Sequence, residues 1–166
     1  MKHQEKKYQV KSFDQVKKVL DRLGIKKSGG AVTNHYYGQH EGNDVTKLVE
    51  YKDKNAIHLL KEKDGKFDLV ESIPVESVKV GLKWLKDKDY KVVNLVKMAN
   101  VDYEYKGGQV RLYTIDDWLK SVILDYPEGE HEAIAKEFEL DKVEVIKIPY
   151  NKQLEEMGKL RSKQLD

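Results

Sequence analysis

Cysteine is absent from this 166-residue chain, which removes disulfides, thiol catalysis and thiolate metal sites together. Proline occurs only three times, and no Pro-rich linker or low-complexity segment divides the chain. No apolar run approaches the ~20 residues that a bilayer-spanning helix needs. The charges of residues 1–7 are not followed by a hydrophobic stretch, so this segment does not read as a secretory signal. An excess of one charge is missing as well. Lys and Arg number 31 against 29 Asp and Glu, for a formal net charge of +2. Lys alternates with Asp and Glu nearly everywhere, so the concentrated basic face of a nucleic-acid binder is not indicated. These absences predict a soluble, cytoplasmic protein with no membrane partner.

What is present is charge of both signs, at 36% of residues, with a mean hydropathy of -0.73. Such a composition borders on that of disordered chains, but apolar residues recur here in ordered segments, which argues for a folded domain. The length fits one domain, 1–166, with one hydrophobic core.

Residues 3–10 read as a strand in which Tyr8 and Val10 share a face. A helix follows, with Ser12 as N-cap and Gln15 completing a capping box. Phe13, Val16, Val19, Leu20 and Leu23 form its apolar stripe, and Gly24 sits where a left-handed C-terminal residue is wanted. Strands are expected at 31–38, 45–51, 56–61 and 66–73, the last two joined by the tight-turn pair Asp64-Gly65. Pro74 is expected to open a second helix, with Val78, Leu82 and Leu85 inward and Trp84 at the margin. Residues 91–105 and 109–115 read as a hairpin turning at Lys106-Gly107-Gly108, followed by a strand over 120–126. A short helix around 129–138 carries Ala133, Ile134 and Phe138 on one side. A strand over 142–148 and a helix over 151–163, with Leu154, Met157 and Leu160, close the order. Helices lie between runs of strands without βαβ alternation, so the pattern predicts an α+β fold built on an antiparallel sheet or barrel.

The order of landmarks resembles the CYTH, or triphosphate-tunnel, family, which includes class IV adenylyl cyclases, thiamine triphosphatases and inorganic tripolyphosphatases. Glu5-Lys6-Lys7 is similar to the second half of the family's opening Glu-x-Glu-x-Lys signature. The helix ending at Leu23-Gly24, the strand with His35-Tyr36-Tyr37, and the segment from Ala56 to Lys61 fit in turn. So do Trp84-Leu85, then Val96-Lys97 with Tyr103 and Tyr105 before Gly107-Gly108, and finally Leu140-Asp141 leading to Pro149-Tyr150 and a Leu-rich helix. The resemblance implies an antiparallel barrel of about eight strands with helices outside and a charged tunnel within. It also implies inward carboxylates that hold Mg²⁺ or Mn²⁺, and inward Lys and Arg that hold a triphosphate.

Such a site needs convergent cations for the anion and oxygen ligands for a hard metal ion. Alternation along the first strand would place His3, Glu5 and Lys7 on one inward face. His3 stands where the family has an acid, and His is a poorer Mg²⁺ ligand. The family's Arg-x-Arg strand corresponds to Lys47-Leu48-Val49-Glu50, without either arginine. Its late acid falls near Tyr113, and its closing acid pair falls on Ile123 and Asp125.

The resemblance therefore implies Glu5, Lys7 and Lys61 as catalytic residues, and Lys7, Lys61, Lys97 and Arg111 as substrate-binding cations. Glu5 and Asp125 are the implied metal ligands. A plainer reading stands beside each: Glu5-x-Lys7 on a solvated face, Lys61 as a surface residue before a turn, Asp125 as a turn residue before Tyr126-Pro127.

Other constellations carry less. His35, His40, Glu41 and Asp44 lack a metal-ligand spacing. Gly29-Gly30 and Gly107-Gly108 read as turns rather than phosphate cradles. Tyr103, Tyr105, Tyr113 and Trp118 are an aromatic set able to stack a base or simply to pack across strands.

Two functions follow. The first is a metal-dependent phosphohydrolase or nucleotide-processing enzyme, releasing phosphate or pyrophosphate from tripolyphosphate, thiamine triphosphate or ATP with Mg²⁺ or Mn²⁺. The second is a barrel that has lost metal chemistry and binds a nucleotide-like or other small anionic ligand. Leu48, Val49 and Ile123 would make its interior more apolar.

Overall fold

A computed structural model describes residues 2–39 and 42–157. Strand β1 (His3–Val10) leads into helix α1 (Asp14–Arg22), and four strands follow: β2 (Lys27–Gly38), β3 (Val45–Glu50), β4 (Asn55–Lys63) and β5 (Lys66–Val75). Helix α2 (Val78–Asp87) precedes β6 (Val92–Tyr105), β7 (Gly108–Ile115) and β8 (Leu119–Pro127). Helix α3 (His131–Glu137), the short β9 (Val145–Ile146) and helix α4 (Tyr150–Glu156) complete the order.

Every pairing is antiparallel, in the order β5-β4-β3-β2-β6-β7-β8-β1-β9. β1 also pairs with β5, through Glu5 with Phe67 and Lys6 with Lys66, so eight strands close into a barrel. Closure removes the open edges that would otherwise template aggregation. β9 adds to β1 beyond the reach of β5, opposite Lys7 and Tyr8. Among the described residues, no helix is long and apolar enough to cross a membrane.

The predicted turns form as their residue types require. Asp64 and Gly65 have φ of 53° and 77°, and Lys106 and Gly107 have 49° and 79°, the paired positive values of a type I′ hairpin. Gly24 takes φ 68° behind α1, and the Ile25 N–H donates to the Leu20 carbonyl at 2.9 Å. Gly108 is needed for a different reason. A Cβ there would meet the Asp125 carbonyl oxygen at 2.4 Å and the Tyr126 ring at the same distance. Neither can retreat, because Tyr126 is fully buried with its hydroxyl donating to the Tyr105 carbonyl at 2.6 Å. Gly108→Ala is expected to cost about 1–3 kcal/mol by overpacking, read as a lowered urea midpoint with unchanged slope.

Several local expectations are corrected. The capping box does not form: the Asp14 N–H donates to Ser12 Oγ at 3.1 Å, and Gln15 instead bonds Glu139. The Ser12 hydroxyl thus satisfies only the N–H two residues on, and the reciprocal bonds with residue 15 that define the box are missing. Pro74 does not open α2. It lies in β5 opposite Ala56, and Ser77 caps the helix by accepting from Val80 N–H at 3.1 Å. Ala135 rather than Ala133 joins Ile134 and Phe138 in the core, and Leu23 is exposed. The strand expected over 142–148 shrinks to two residues, and Leu160 falls outside the described residues.

Apolar side chains divide into three groups by strand alternation. Tyr8, Val110, Leu112, Val122 and Leu124 point outward beneath α1 and α3. Leu48 and Ile57 point outward beneath α2, where Leu85 covers them. The expectation of Leu48 inside the barrel is therefore reversed, whereas Ile123 and Val49 do face inward. The third group fills one end of the barrel, where Ile146, Tyr150 and Leu154 meet Val96, Ile115 and Leu119.

Candidate functional site

The lumen is built by the alternate residues of each strand. β1 supplies His3, Glu5 and Lys7; β2 supplies Thr33, His35 and Tyr37; β3 supplies Val45, Lys47 and Val49. β4 contributes His58 and Leu60, β6 Met98, Asn100 and Asp102, β7 Arg111 and Tyr113, and β8 Ile123 and Asp125. Two connected chambers result. The outer one holds about 460 Å³ and carries all three of the carboxylates Glu5, Asp102 and Asp125. The inner one holds about 60 Å³ around Lys7, His35, Tyr37 and Lys47, and Glu5 borders it as well.

The outer chamber is organised by Arg111. Its Nη2 donates to Asp125 Oδ2 at 3.0 Å, Nη1 lies 3.7 Å from Glu5 Oε2, and Nε donates to Gln109 Oε1 at 2.9 Å. Glu5 and Asp125 are register partners on β1 and β8, which is why one guanidinium serves both. His3 Nδ1 stands 3.5 Å from the other Asp125 oxygen. Burial holds the Glu5 carboxyl above the usual carboxylate range, opposed by Arg111 and assisted by Asp125.

The inner chamber holds two lysines. Lys7 is 5% exposed, donates to the Ile148 carbonyl at 2.8 Å, and packs between the rings of Phe67 and Tyr150 at 4.0 and 4.1 Å. Burial, then the charge of Lys47, lowers its pKa to about 7. Burial lowers Lys47 to about 8, and its ammonium lies 5.3 Å from the Tyr37 ring centroid. Neither lysine makes an ion pair among the described residues. His35 and His58 stay neutral near pH 7: burial, with Lys47 close by, lowers the first well below its ordinary value and the second to about 4.

The far end is closed by the chain's own later segment. Tyr150 and Ser121 share a hydrogen bond of 2.7 Å, Asn151 donates to Asn94 at 2.8 Å, and Gln153 donates to Gln9 at 2.9 Å. Leu154 is fully buried among the lumen side chains.

Of the residues singled out from sequence, Glu5, Lys7, Arg111 and Asp125 share this lumen. Lys61 does not. It is exposed on the outer face, because β4 alternates regularly, with His58 and Leu60 inward and Ile57, Leu59 and Lys61 outward. Lys97 also points outward, between the inward Val96 and Met98, and pairs with Asp117 at 3.0 Å. The aromatic set separates: Tyr113 is in the lumen, Tyr103 and Tyr105 pack outside, and Trp118 lies exposed before β8. His40 and Glu41 lie outside the described residues, and His35 faces the lumen. The site residues named from sequence did not include Lys47, His58 or Asp102, all of which line the lumen. Lys47 was legible as the middle of Val45-x-Lys47-x-Val49, a strand whose other inward members are apolar.

The donor set does not fit Mg²⁺ or Mn²⁺ well. These ions need several oxygen ligands in near-octahedral array. Here the two acids that face each other are already held by a guanidinium. Among the described residues, no three His, Asp or Glu side chains are grouped to hold a metal ion.

No protein-family model matches the chain, and no curated protein matches it. Solved structures do. The PH1012 protein of Pyrococcus horikoshii OT3 aligns at 17% identity, over 86% of this chain and 94% of its own, with TM-score 0.73. A conserved hypothetical protein of Pyrococcus furiosus aligns at 13%, over 89% and 97%, with TM-score 0.75. The putative adenylyl cyclase HpAC1 from Hippeastrum, which has a dominant triphosphatase activity, aligns at 12%, over 96% and 97%, with TM-score 0.63. At such identities the likeness is one of fold.

Proposed function

We propose that this chain, which has the CYTH-type triphosphate-tunnel fold, binds a small phosphorylated or nucleotide-like ligand inside its barrel. One observation carries the reading: Lys7 and Lys47 converge on a buried chamber whose lining carboxylate, Glu5, lies against Arg111 and comes within ion-pair distance of neither lysine. A buried cation without a counter-ion is costly to the free protein. An entering phosphoryl group would restore both charges and replace lost hydration with charge-assisted hydrogen bonds. The outer chamber, with Tyr51, His58 and Asn100 on its wall, has room for the body of the ligand.

Metal-dependent hydrolysis of a phosphoanhydride is the second reading, favoured by the direct opposition of Glu5 and Asp125 at the mouth and by the activity of the Hippeastrum protein. It requires both carboxylates to leave Arg111 before they could ligate Mg²⁺ or Mn²⁺. Calorimetry with AMP, ATP, thiamine triphosphate and tripolyphosphate, each with either metal and with chelator, separates the two. Binding that is indifferent to chelator is the expected result. Binding abolished by chelator, together with phosphate release, would establish the hydrolytic reading instead. No binding of any compound under either condition would overturn both.

A further inference from the structure

The two chambers differ in what they can hold. Their walls carry three cations, Lys7, Lys47 and Arg111, against three carboxylates, Glu5, Asp102 and Asp125. Arg111 is already engaged by two of those acids. A chain of three phosphates would bring about four negative charges to a lumen that is close to neutral, a load that unpaired buried charge does not tolerate. One phosphoryl group brings up to two charges, which Lys7 and Lys47 of the inner chamber match while the bordering Glu5 is balanced by Arg111.

That chamber also holds an unspent hydrogen-bonding group. His35 is 7% exposed, and its Nε2 lies 2.7 Å from Thr33 Oγ1. Its Nδ1 has no partner, yet His35 borders both chambers. A buried, unmatched ring nitrogen costs free energy and is unusual in a folded interior. If the Thr33 hydroxyl donates to Nε2, the ring proton resides on Nδ1 and is free for an anion's oxygen. Ile146, Tyr150 and Leu154 close the far end, so a ligand can reach this point only with its terminus.

We propose that the inner chamber is a subsite for a single terminal phosphoryl group, held by Lys7, Lys47 and the Nδ1–H of His35. The protein then takes a phosphomonoester, with its body in the outer chamber, in preference to a polyphosphate chain. This rests on the reading of the lumen as a phosphate-binding pocket.

The test is metal-free calorimetry, in chelator, with AMP, inorganic phosphate and tripolyphosphate as probes. Wild type is expected to bind AMP more tightly than tripolyphosphate. His35→Leu should weaken AMP roughly tenfold to a hundredfold, the range for one hydrogen bond to a charged group. His35→Asn, which returns a side-chain N–H near the Nδ1 position, should recover most of that loss. Nitrogen-15 NMR of the unliganded wild type should find the proton on Nδ1, and AMP should shift that signal downfield. Tighter binding of tripolyphosphate than AMP, an Nε2–H tautomer, or unchanged AMP affinity in His35→Leu would each overturn the proposal while leaving a phosphate-binding lumen intact. Failure of all three probes to bind wild type would remove the underlying reading as well.

Discussion

Lys47→Met is expected to lower affinity for the phosphorylated probe that binds wild type by roughly ten- to a hundredfold, the equivalent of about 1.5–3 kcal/mol for a charge-assisted hydrogen bond. The same substitution should leave folding stability unchanged or improved. Burial holds Lys47 at about 8, below the 10.5 of a free lysine, so the folded chain keeps this ammonium at a cost. The sign of the pH dependence follows. Between the folded value near 8 and the unfolded value, the unfolded chain binds the proton more readily, so stability rises with pH across that window. Lys7 adds the same trend from about 7 upward. Ligand affinity should run the other way, falling from about pH 7 upward as first Lys7 and then Lys47 loses its proton. Thermal midpoints and calorimetric affinities measured from pH 6 to 10 on wild type and Lys47→Met check both directions together. An affinity in Lys47→Met equal to that of wild type would remove this lysine from the binding surface.

Arg111→Met should be the more damaging substitution for the fold. It strands Glu5 and Asp125 on adjacent strands with their carboxylates facing and no cation between them. Removing one member of a fully buried ionic set typically costs about 3–5 kcal/mol. Here about a quarter of the Arg111 and Glu5 side chains reaches solvent, and the screening this brings reduces the expected loss to about 2–3 kcal/mol. Urea denaturation at pH 7 measures it. Burial already raises the Glu5 carboxyl against the pull of Arg111, and losing that pull raises it further. Much of the lost stability should therefore return as pH falls and the acids are neutralised. Adding Glu5→Gln to Arg111→Met should recover part of the loss at pH 7. A double variant no more stable than Arg111→Met would show that the arginine acts through its packing rather than its charge.

Much of the architecture was legible from local chemistry. Turn pairs such as Asp64-Gly65 and Lys106-Gly107 demand positive φ, and apolar residues at helical spacing mark α1 and α2. These depend on sterics within a few residues, so they survive without knowledge of the rest of the chain. Facing was legible where a strand alternates cleanly, as in β1, whose His3, Glu5 and Lys7 oppose Tyr8 and Val10. It was not legible for Lys61 or Lys97. Each is one residue away from an inward position, and a one-residue displacement inverts a side chain. In β4 the alternation itself is regular, and which set faces inward is decided by the packing of Ile57 and Leu59 beneath α2.

What the sequence by itself determined is the set of elements, the antiparallel habit and the charge available to the first strand, because these follow from short-range backbone preferences and period-2 patterning. Tertiary structure alone decided the rest. Pairing of β1 with β8, and of β8 with β7, brought Glu5, Asp125 and Arg111 from far apart in sequence into one ion cluster. The return of residues 145–154 sealed one end of the barrel and gave Lys7 a carbonyl partner 141 residues away. Such contacts depend on where separate elements meet in space, and no window of sequence contains both sides of them.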